Sequence, residues 1–406
     1  MCDVIIIGGG ASGIVSSIFA KKQNNKVIVL ERNNDVLKKL LMTGNGRCNY
    51  LNEVYSVNNY HSNNIDIVDE IISSDNIENV KDFFDSIGII PKNKNGYFYP
   101  STNQAITIKD ALFDKAMQEG VDIRCNSLVT NIDKINNKFV VTCNGEKLTS
   151  DKLIISTGSC AYPSTGSDGM GYNFLKKFDH SIIKPLPALV PLISNFKYLN
   201  DWAGVRSEVV LELFEDGKYI SSEMGEVQLT NYGISGICTF NLSHFVTRGL
   251  ELGKKEVIKI NFVPFIETLI TPWIDSYAKK NPKKNLDKLL CGFINKKLVS
   301  IILKVSNLDK NRYYKDLSNE EKLILCKNLK GLDIEIIDTK SFDNAQVVNG
   351  GVSLLEINFK TMESLKVSNL YIIGELLDIN GNCGGYNLTT CWISGMLAGK
   401  DVYDKN

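Results

Sequence analysis

A chain of 406 residues with 43% hydrophobic and 23% charged content has an ordinary globular composition and is too long for one simple core, so two or three domains are expected. Lysine plus arginine equal aspartate plus glutamate at 46 each, which gives no support for nucleic acid as a partner beyond a local patch. No apolar run approaches the ~18 residues of a membrane span. The opening MCDVIIIGGGASG lacks a basic n-region, so it reads as a buried strand and points to a cytoplasmic protein away from membranes.

Residues 4–7 form a short β-branched run, as in a parallel strand covered on both faces. Gly8, Gly10 and Gly13 follow as G-x-G-x-x-G, then IVSSIFAKKQ at helical spacing, then a second apolar strand at residues 26–30 that ends at Glu31. In that context each part has a physical task. Gly8 allows the tight turn, Gly10 lets the backbone approach a pyrophosphate, and Gly13 lets helix and strand pack closely. The N–H groups of Ala11, Ser12 and Gly13 at the helix start face the phosphates, and Glu31, with Arg32 beside it, reaches an adenosine ribose. This is a dinucleotide site.

The next segment, KKLLMTGNGRCNYLN (residues 38–52), is rich in glycine and asparagine. It follows Glu31 closely enough to wrap a dinucleotide between adenosine and ring. Lys39 and Arg47 supply positive charge, and the N–H groups of Thr43, Gly44, Asn45 and Gly46 supply an anion nest. Cys48 has no partner cysteine at a redox spacing and reads as a bystander.

Residues 121–133 read as a strand in which Val129 meets the adenine through backbone groups, and residues 137–156 as a hairpin turning at Asn144-Gly145. The hairpin feeds a strand at 153–156 that ends in Thr157-Gly158. From about residue 190 to 342 the nucleotide-site signals stop. Residues 205–236 alternate apolar and polar, with turns expected at Asp216-Gly217 and Met224-Gly225, and 330–347 supplies a returning strand. Residues 265–329 are lysine-rich at helical spacing and read as a small helical subdomain with a solvated face.

Residues 370–373 form a last buried strand stopping at Gly374, followed by a turn-rich loop and a helix beginning near Tyr386 or Asn387. Ser394, Gly395, Ala398 and Gly399 permit that helix to pack closely, and the first glycine-rich helix is the expected neighbour. A second strand–loop–helix unit suits an extended dinucleotide such as FAD, because Gly384, Gly385, Asn387 and Leu388 place a second helix N-terminus at the flavin ring, where it favours negative charge by roughly 0.3–2 kcal/mol. Glu375 and Asp378 are placed for ribityl hydroxyls or the pyrophosphate region.

The motifs GGGASG, KLLMTGNGRCNYLN, YFYPSTNQA, TGSCAYPSTGSDGMGY, PALVPL, TNYGISGI, NGGVSLLEINFKTMES and GELLDINGNCGGYNL, in this order over nearly the whole chain, resemble the BaiN/YhiN-like family of bacterial flavoproteins, which includes the aminoacetone oxidase-type enzymes. The resemblance implies an α/β protein with a Rossmann-like FAD-binding domain of the two-dinucleotide-binding type (1–189 and 343–406), an inserted β-rich domain (190–262 and 330–342) and a helical subdomain (263–329). It also implies non-covalent FAD and either reduction of an activated C=C bond, as in bile-acid-type enones, or oxidation of a small amine or amino ketone by oxygen. Relatives often read Thr-His-x-Gly where this chain has Thr230-Asn231-Tyr232-Gly233, and proline where Ile237 stands. An amide does not titrate, so Asn231 does not replace a histidine in acid–base work.

A small-molecule substrate is expected where the insert faces the flavin, with Tyr162, Asn231, Tyr232 and Tyr386 as candidate residues. Ten cysteines without C-x-x-C spacing argue against a disulfide reductase, and with only His61, His180 and His244 no metal site is expected. Gly166, Gly169 and Gly171 make G-x-x-G-x-G without a strand running into them, so NAD(P)H has no dedicated Rossmann site and would act as a transient donor. A non-catalytic flavin sensor is the alternative of another class.

Overall fold

The computed structural model describes residues 2–21 and 24–405. Its contacts divide the chain into one unit running to Leu186 and resuming at Gln346, and a second unit, Pro187–Ala345.

The first unit is built on a sheet of β1 (Cys2–Ile7), β2 (Val27–Leu30), β3 (Asp122–Arg124), β4 (Val129–Ile135), β5 (Lys138–Cys143) and β6 (Glu146–Ile155), in the order β3-β2-β1-β6-β5-β4. The strand Leu370–Ile372 joins β6 in parallel beyond its hairpin half. Val4, Ile5, Ile6 and Ile7 are all buried, as a β-branched run covered on both faces requires. Between β1 and β2 runs α1 (Ala11–Ala20). The pattern IVSSIFAKKQ extends to Lys22 and Gln23, which lie outside the described residues.

Residues 121–133 are not the single strand expected from their pattern. Instead β3 pairs in parallel with β2, the chain turns at Asn126 (φ 54°), and β4 pairs antiparallel with β5. The turn joining β5 and β6 does fall at Asn144-Gly145, both with positive φ (50° and 85°), the tight-turn geometry that suits the twist of a hairpin.

The C-terminal helix, Tyr386–Asp404, packs along α1 as its small residues suggest. A Cβ on Gly395 would lie 2.6 Å from the Ser12 carbonyl oxygen, and one on Gly399 would lie 2.6 Å from Phe19 Cβ. Trp392, fully buried on the same helix, donates its indole N–H to the Tyr50 carbonyl at 3.0 Å and meets Phe84 edge-on.

The second unit holds a closed antiparallel barrel of Leu192–Ser194, Gly233–Ser235, Lys218–Leu229, Arg206–Glu215, Glu256–Asn261 and Leu332–Thr339. Alternation carries Val209, Leu211, Leu213, Ile258 and Ile260 into its core, each worth roughly 1.5–3 kcal/mol of burial. The turn expected at Met224-Gly225 does not form. Lys218–Leu229 runs through it, with Gly225 opposite Val209, and a Cβ there would lie 3.5 Å from Cys238 Cβ, an ordinary contact.

Helix Ile237–Glu251 is an element that the alternation reading misses, because it buries Thr239, Ser243, His244 and Thr247 and so shows no clean apolar stripe. Ile237, where relatives often carry proline, is its first residue, a position whose N–H needs no helical acceptor. The lysine-rich segment forms the helices Ile270–Lys280, Leu286–Leu290, Lys296–Val305 and Asn319–Lys330.

Candidate active site

The glycine loop after β1 shows three different constraints. Gly8 has φ 104°, and a Cβ there would lie 2.5 Å from the Ser156 carbonyl oxygen. A Cβ on Gly13 would lie 2.0 Å from the Gly8 carbonyl oxygen. Gly10 has nothing within 4 Å of that position, so its backbone faces open space. No side chain caps α1, which leaves the N–H groups of Ala11, Ser12 and Gly13 without intrahelical acceptors.

Glu31 is buried at the end of β2. Its carboxylate accepts the Gly9 N–H at 2.8 Å, and the Asn33 N–H and side-chain amide at 2.8 and 2.7 Å. It therefore braces the glycine loop as well as lying where a ribose is expected. Asn33 reaches on to the Thr165 carbonyl, and Arg32 is ion-paired with Asp168, so both tie this edge to the TGSDG segment. Arg32 is thus engaged by a carboxylate of its own chain. Ser127 donates its N–H to the Glu31 carbonyl at 2.8 Å, which brings the backbone leading into buried Val129 beside the end of β2.

Lys39 and Glu375, 336 residues apart, form an ion pair at 2.6 Å, and Ser159 donates to the same carboxylate oxygen at 3.2 Å. Gly374 abuts α1: its N–H donates to Ser394 Oγ, and a Cβ on it would lie 2.4 Å from Ser12 Oγ. Thr157 Oγ1 is buried without a hydrogen-bond partner, and Gly158 adopts φ 74°. Asp378 is buried and accepts the Asn63 N–H at 2.9 Å and the Ser62 hydroxyl at 3.3 Å.

The 38–52 segment opens with a short helix, Lys38–Met42, and then turns through a loop with positive φ at Gly44, Asn45, Gly46 and Cys48. Its N–H groups largely turn inward: Thr43 donates to Leu40, Gly46 and Cys48 to Thr43, and Arg47 to Gly44. Arg47 Nε also donates to Gly44 O, and the guanidinium lies 5.5 Å from the Tyr99 ring. The end of the loop docks on the C-terminal helix, where Asn52 donates to the Gly384 carbonyl at 2.7 Å and a Cβ on Gly385 would lie 2.8 Å from Leu51.

Cys48 is fully buried, and burial pushes its thiol up to about 12. Iodoacetamide at pH 8 is expected to leave Cys48 unmodified in the native protein and to label it in urea. Peptide mass spectrometry reads the result, and native labelling would contradict the buried, protonated state.

At the C-terminal helix start, Gly384 and Gly385 have φ 140° and 91°, and no side chain caps the helix. Asn387 closes the loop by pairing both ways with Gly381, at 2.8 and 2.7 Å, and Leu388 is half-buried. Tyr386 is held in an aromatic cluster, edge-on to Tyr55 and Tyr60, with its hydroxyl donating to the Val54 carbonyl. Burial, then the neighbouring Tyr97 and Tyr55, pushes it up to about 12. Tyr162 is half-buried with a left-handed backbone (φ 58°) in the 152–171 segment. Asn231 is exposed in the second unit, and the ring of Tyr232 beside it lies 4.2 Å from Lys340 Nζ.

The sequence reading missed several members of this first-unit site: Asn33, Asp168, Ser159, Asn52, and His61, whose Nε2 meets Asn382 Oδ1 at 3.0 Å. Each acts across the fold, except Asn33, whose place two residues after Glu31 is a usable local signal. Among the described residues no His, Cys, Asp and Glu group suits a metal, and no helix is long and apolar enough to cross a membrane.

FAD fits this arrangement. Two uncapped helix starts, an open glycine cradle at Gly10, the carboxylate of Glu31 and the partnerless Thr157 hydroxyl converge in one unit. Fold and site define a flavoprotein with a Rossmann-type FAD-binding domain.

The family described as HI0933-like protein Rossmann domain matches residues 2–401, and the chain belongs to it. The BaiN/YhiN-like assignment stands with it. A 3-dehydro-bile acid delta(4,6)-reductase of Clostridium scindens is 34% identical over 91% of this chain and 90% of its own. A ribosomal RNA dihydrouridine synthase of Escherichia coli is 26% identical over 90% and 89%, and one of Haemophilus influenzae 27% over 88% and 87%. Among solved structures, a 3-ketosteroid-delta4-(5alpha)-dehydrogenase of Rhodococcus jostii shares the fold at TM-score 0.51 and 12% identity, covering 99% of this chain and 96% of that one.

Proposed function

We propose that the protein reduces a carbon–carbon double bond conjugated to a carbonyl in a steroid-like substrate, with NAD(P)H as the transient electron donor. The observation that carries this reading is the 34% identity, across nine-tenths of both chains, to the bile-acid delta(4,6)-reductase. FAD, when bound, supplies hydride transfer at its N5 atom.

The protein's own part is to hold and orient. The first-turn N–H groups of Ala11, Ser12 and Gly13 and the open backbone at Gly10 receive the pyrophosphate. Glu31 keeps the glycine loop in shape and accepts from the ribose. The start of the C-terminal helix favours negative charge at the ring. Lys39 is neutralised by Glu375, so the pair contributes a fixed dipole rather than a free cation. Tyr162 remains the first-unit candidate for contact with the substrate carbonyl and for proton delivery to the α-carbon; Asn231, an amide, has no proton to give at neutral pH. Tyr386 serves the site by packing, since its hydroxyl is committed to Val54.

The two dihydrouridine synthase relatives favour a second reading, in which the reduced bond belongs to a uracil ring, also conjugated to a carbonyl. Anaerobic flavin absorbance separates the readings. NAD(P)H should bleach the flavin, and a 3-oxo-4-ene steroid should restore it. Restoration by uridine-containing ribosomal RNA alone favours the second reading. Restoration only by air, with peroxide, after bleaching by aminoacetone favours a small-amine oxidase. A flavin that none of these reoxidises or reduces would leave both reductase readings without support.

A further inference from the structure

The even charge of the whole chain hides a strong local imbalance. Residues 270–330 carry 13 lysines and one arginine against six carboxylates, a net +8 within a chain of net +0. Among the described residues only Lys304, Arg312 and Lys322 of these cations are ion-paired with carboxylates.

One face of this subdomain is shaped. Helix Lys296–Val305 buries Leu298, Val299, Ile301, Ile302 and Leu303. It turns Lys296, Ser300 and Lys304 outward at four-residue spacing, along roughly 12 Å of helix at 1.5 Å per residue. Those three residues, with Lys297 and Asp201, line a concavity of about 380 Å³. Lys304 also lies 5.3 Å from the ring of Tyr198, which carries Lys197 at 5.5 Å on its own account. Four lysines therefore share one strip with a single carboxylate, Asp201, and with one half-buried aromatic ring.

We propose that this strip is a docking surface for RNA. The lysines meet successive backbone phosphates, and Tyr198 offers a ring against which an unpaired base stacks. Cations spread along ~12 Å exceed the reach of one phosphate group. The aromatic ring set among them favours a strand with splayed bases over a closed duplex. The inference rests on charge and shape and stands whichever substrate is reduced, so its test reads binding and not turnover.

The probe is a fluorescein-labelled RNA hairpin with a uridine-rich loop, followed by anisotropy with the FAD-loaded full chain between about 50 and 200 mM salt. Affinity should fall steeply with salt. The variant K296E/K297E/K304E should lose at least about tenfold in affinity and lower the log–log salt slope by roughly 2–3, at ~0.7–0.9 for each phosphate no longer neutralised. Asp201→Asn removes the one carboxylate and should tighten binding severalfold, a gain that misfolding cannot produce. K92E/K94E, the same kind of charge reversal on an exposed strand of the first unit, should leave binding unchanged. Equal weakening by K92E/K94E, displacement by low-millimolar inorganic phosphate, tighter binding to duplex DNA, or no gain with Asp201→Asn would each overturn the proposal.

Discussion

Gly13→Ala is expected to yield little folded protein, whereas Gly10→Ala, three residues earlier, should fold normally and lose FAD. The two glycines belong to one motif but meet different surroundings. A methyl group on Gly13 would sit 2.0 Å from the Gly8 carbonyl oxygen and 2.6 Å from Ser156 Oγ. The nearer of these is backbone, which cannot swing aside. Relief requires separating α1 from β1 at the centre of the sheet, at a cost of about 3 kcal/mol or more, a large share of a domain's net stability. At Gly10 the backbone (φ −78°, ψ −170°) suits any residue, and the added methyl meets nothing within 4 Å. That open space is where we place the pyrophosphate of FAD against the backbone. Overpacking of ~1–3 kcal/mol there weakens FAD by roughly fivefold to 150-fold. Thermal melting and flavin content after gel filtration read the two effects separately. A Gly10→Ala protein with full flavin would show that the dinucleotide does not lie against this loop.

Glu256→Gln should stabilise the second unit at pH 8 and leave it unchanged near pH 4. Glu256 is 1% exposed and sits directly across the barrel ladder from Glu215, whose carboxylate faces its own and hydrogen-bonds with it only while one of the two keeps a proton. Burial, reinforced by the charge of Glu215 and opposed by Lys254, pushes its carboxyl up from 4.5 to about 7. The groups around it are Glu215, Asp216 and Lys254 on the barrel turns, and Gly249 of helix Ile237–Glu251, where a Cβ would lie 1.7 Å from Glu256 Oε1. The folded protein therefore keeps a proton that the unfolded chain releases between pH 4.5 and 7. Stability falls as pH rises through that window, and the full penalty, on the order of 3 kcal/mol, is present above pH 7. A neutral amide of the same shape removes it. Urea unfolding at pH 4 and pH 8 measures the difference, and a pH-independent effect of the substitution would contradict the assignment.

The two predictions lie at opposite ends of what could be read without coordinates. The glycine cradle was legible because each glycine answers a local backbone demand, and the spacing G-x-G-x-x-G between a strand and a helix records three such demands at once. The small-residue face of the C-terminal helix was legible for the same reason, since close packing leaves a composition that can be counted. Helix Ile237–Glu251 was not, because its buried face mixes threonine, serine and histidine with its apolar residues, the hydroxyls of Thr239, Ser243 and Thr247 donating to carbonyls three or four residues back, so no apolar stripe marks it.

What the amino-acid order determined by itself is a set of local backbone shapes: the glycine turn between strand and helix, the tight turns at Asn144-Gly145 and Asp216-Gly217, and the small-residue face where two helices can touch. Tertiary structure alone decided which charges meet. Lys39 could be assigned to phosphate only until Glu375 arrived from 336 residues away, and Arg32 only until Asp168 did, 136 residues on. Glu31 proved to brace the glycine loop, and Asn52 to hold Gly384 at the far end of the chain. Backbone conformation is governed by steric rules that act over a few neighbours. Ion pairing and burial depend on which distant segments share a surface, and no local pattern encodes that.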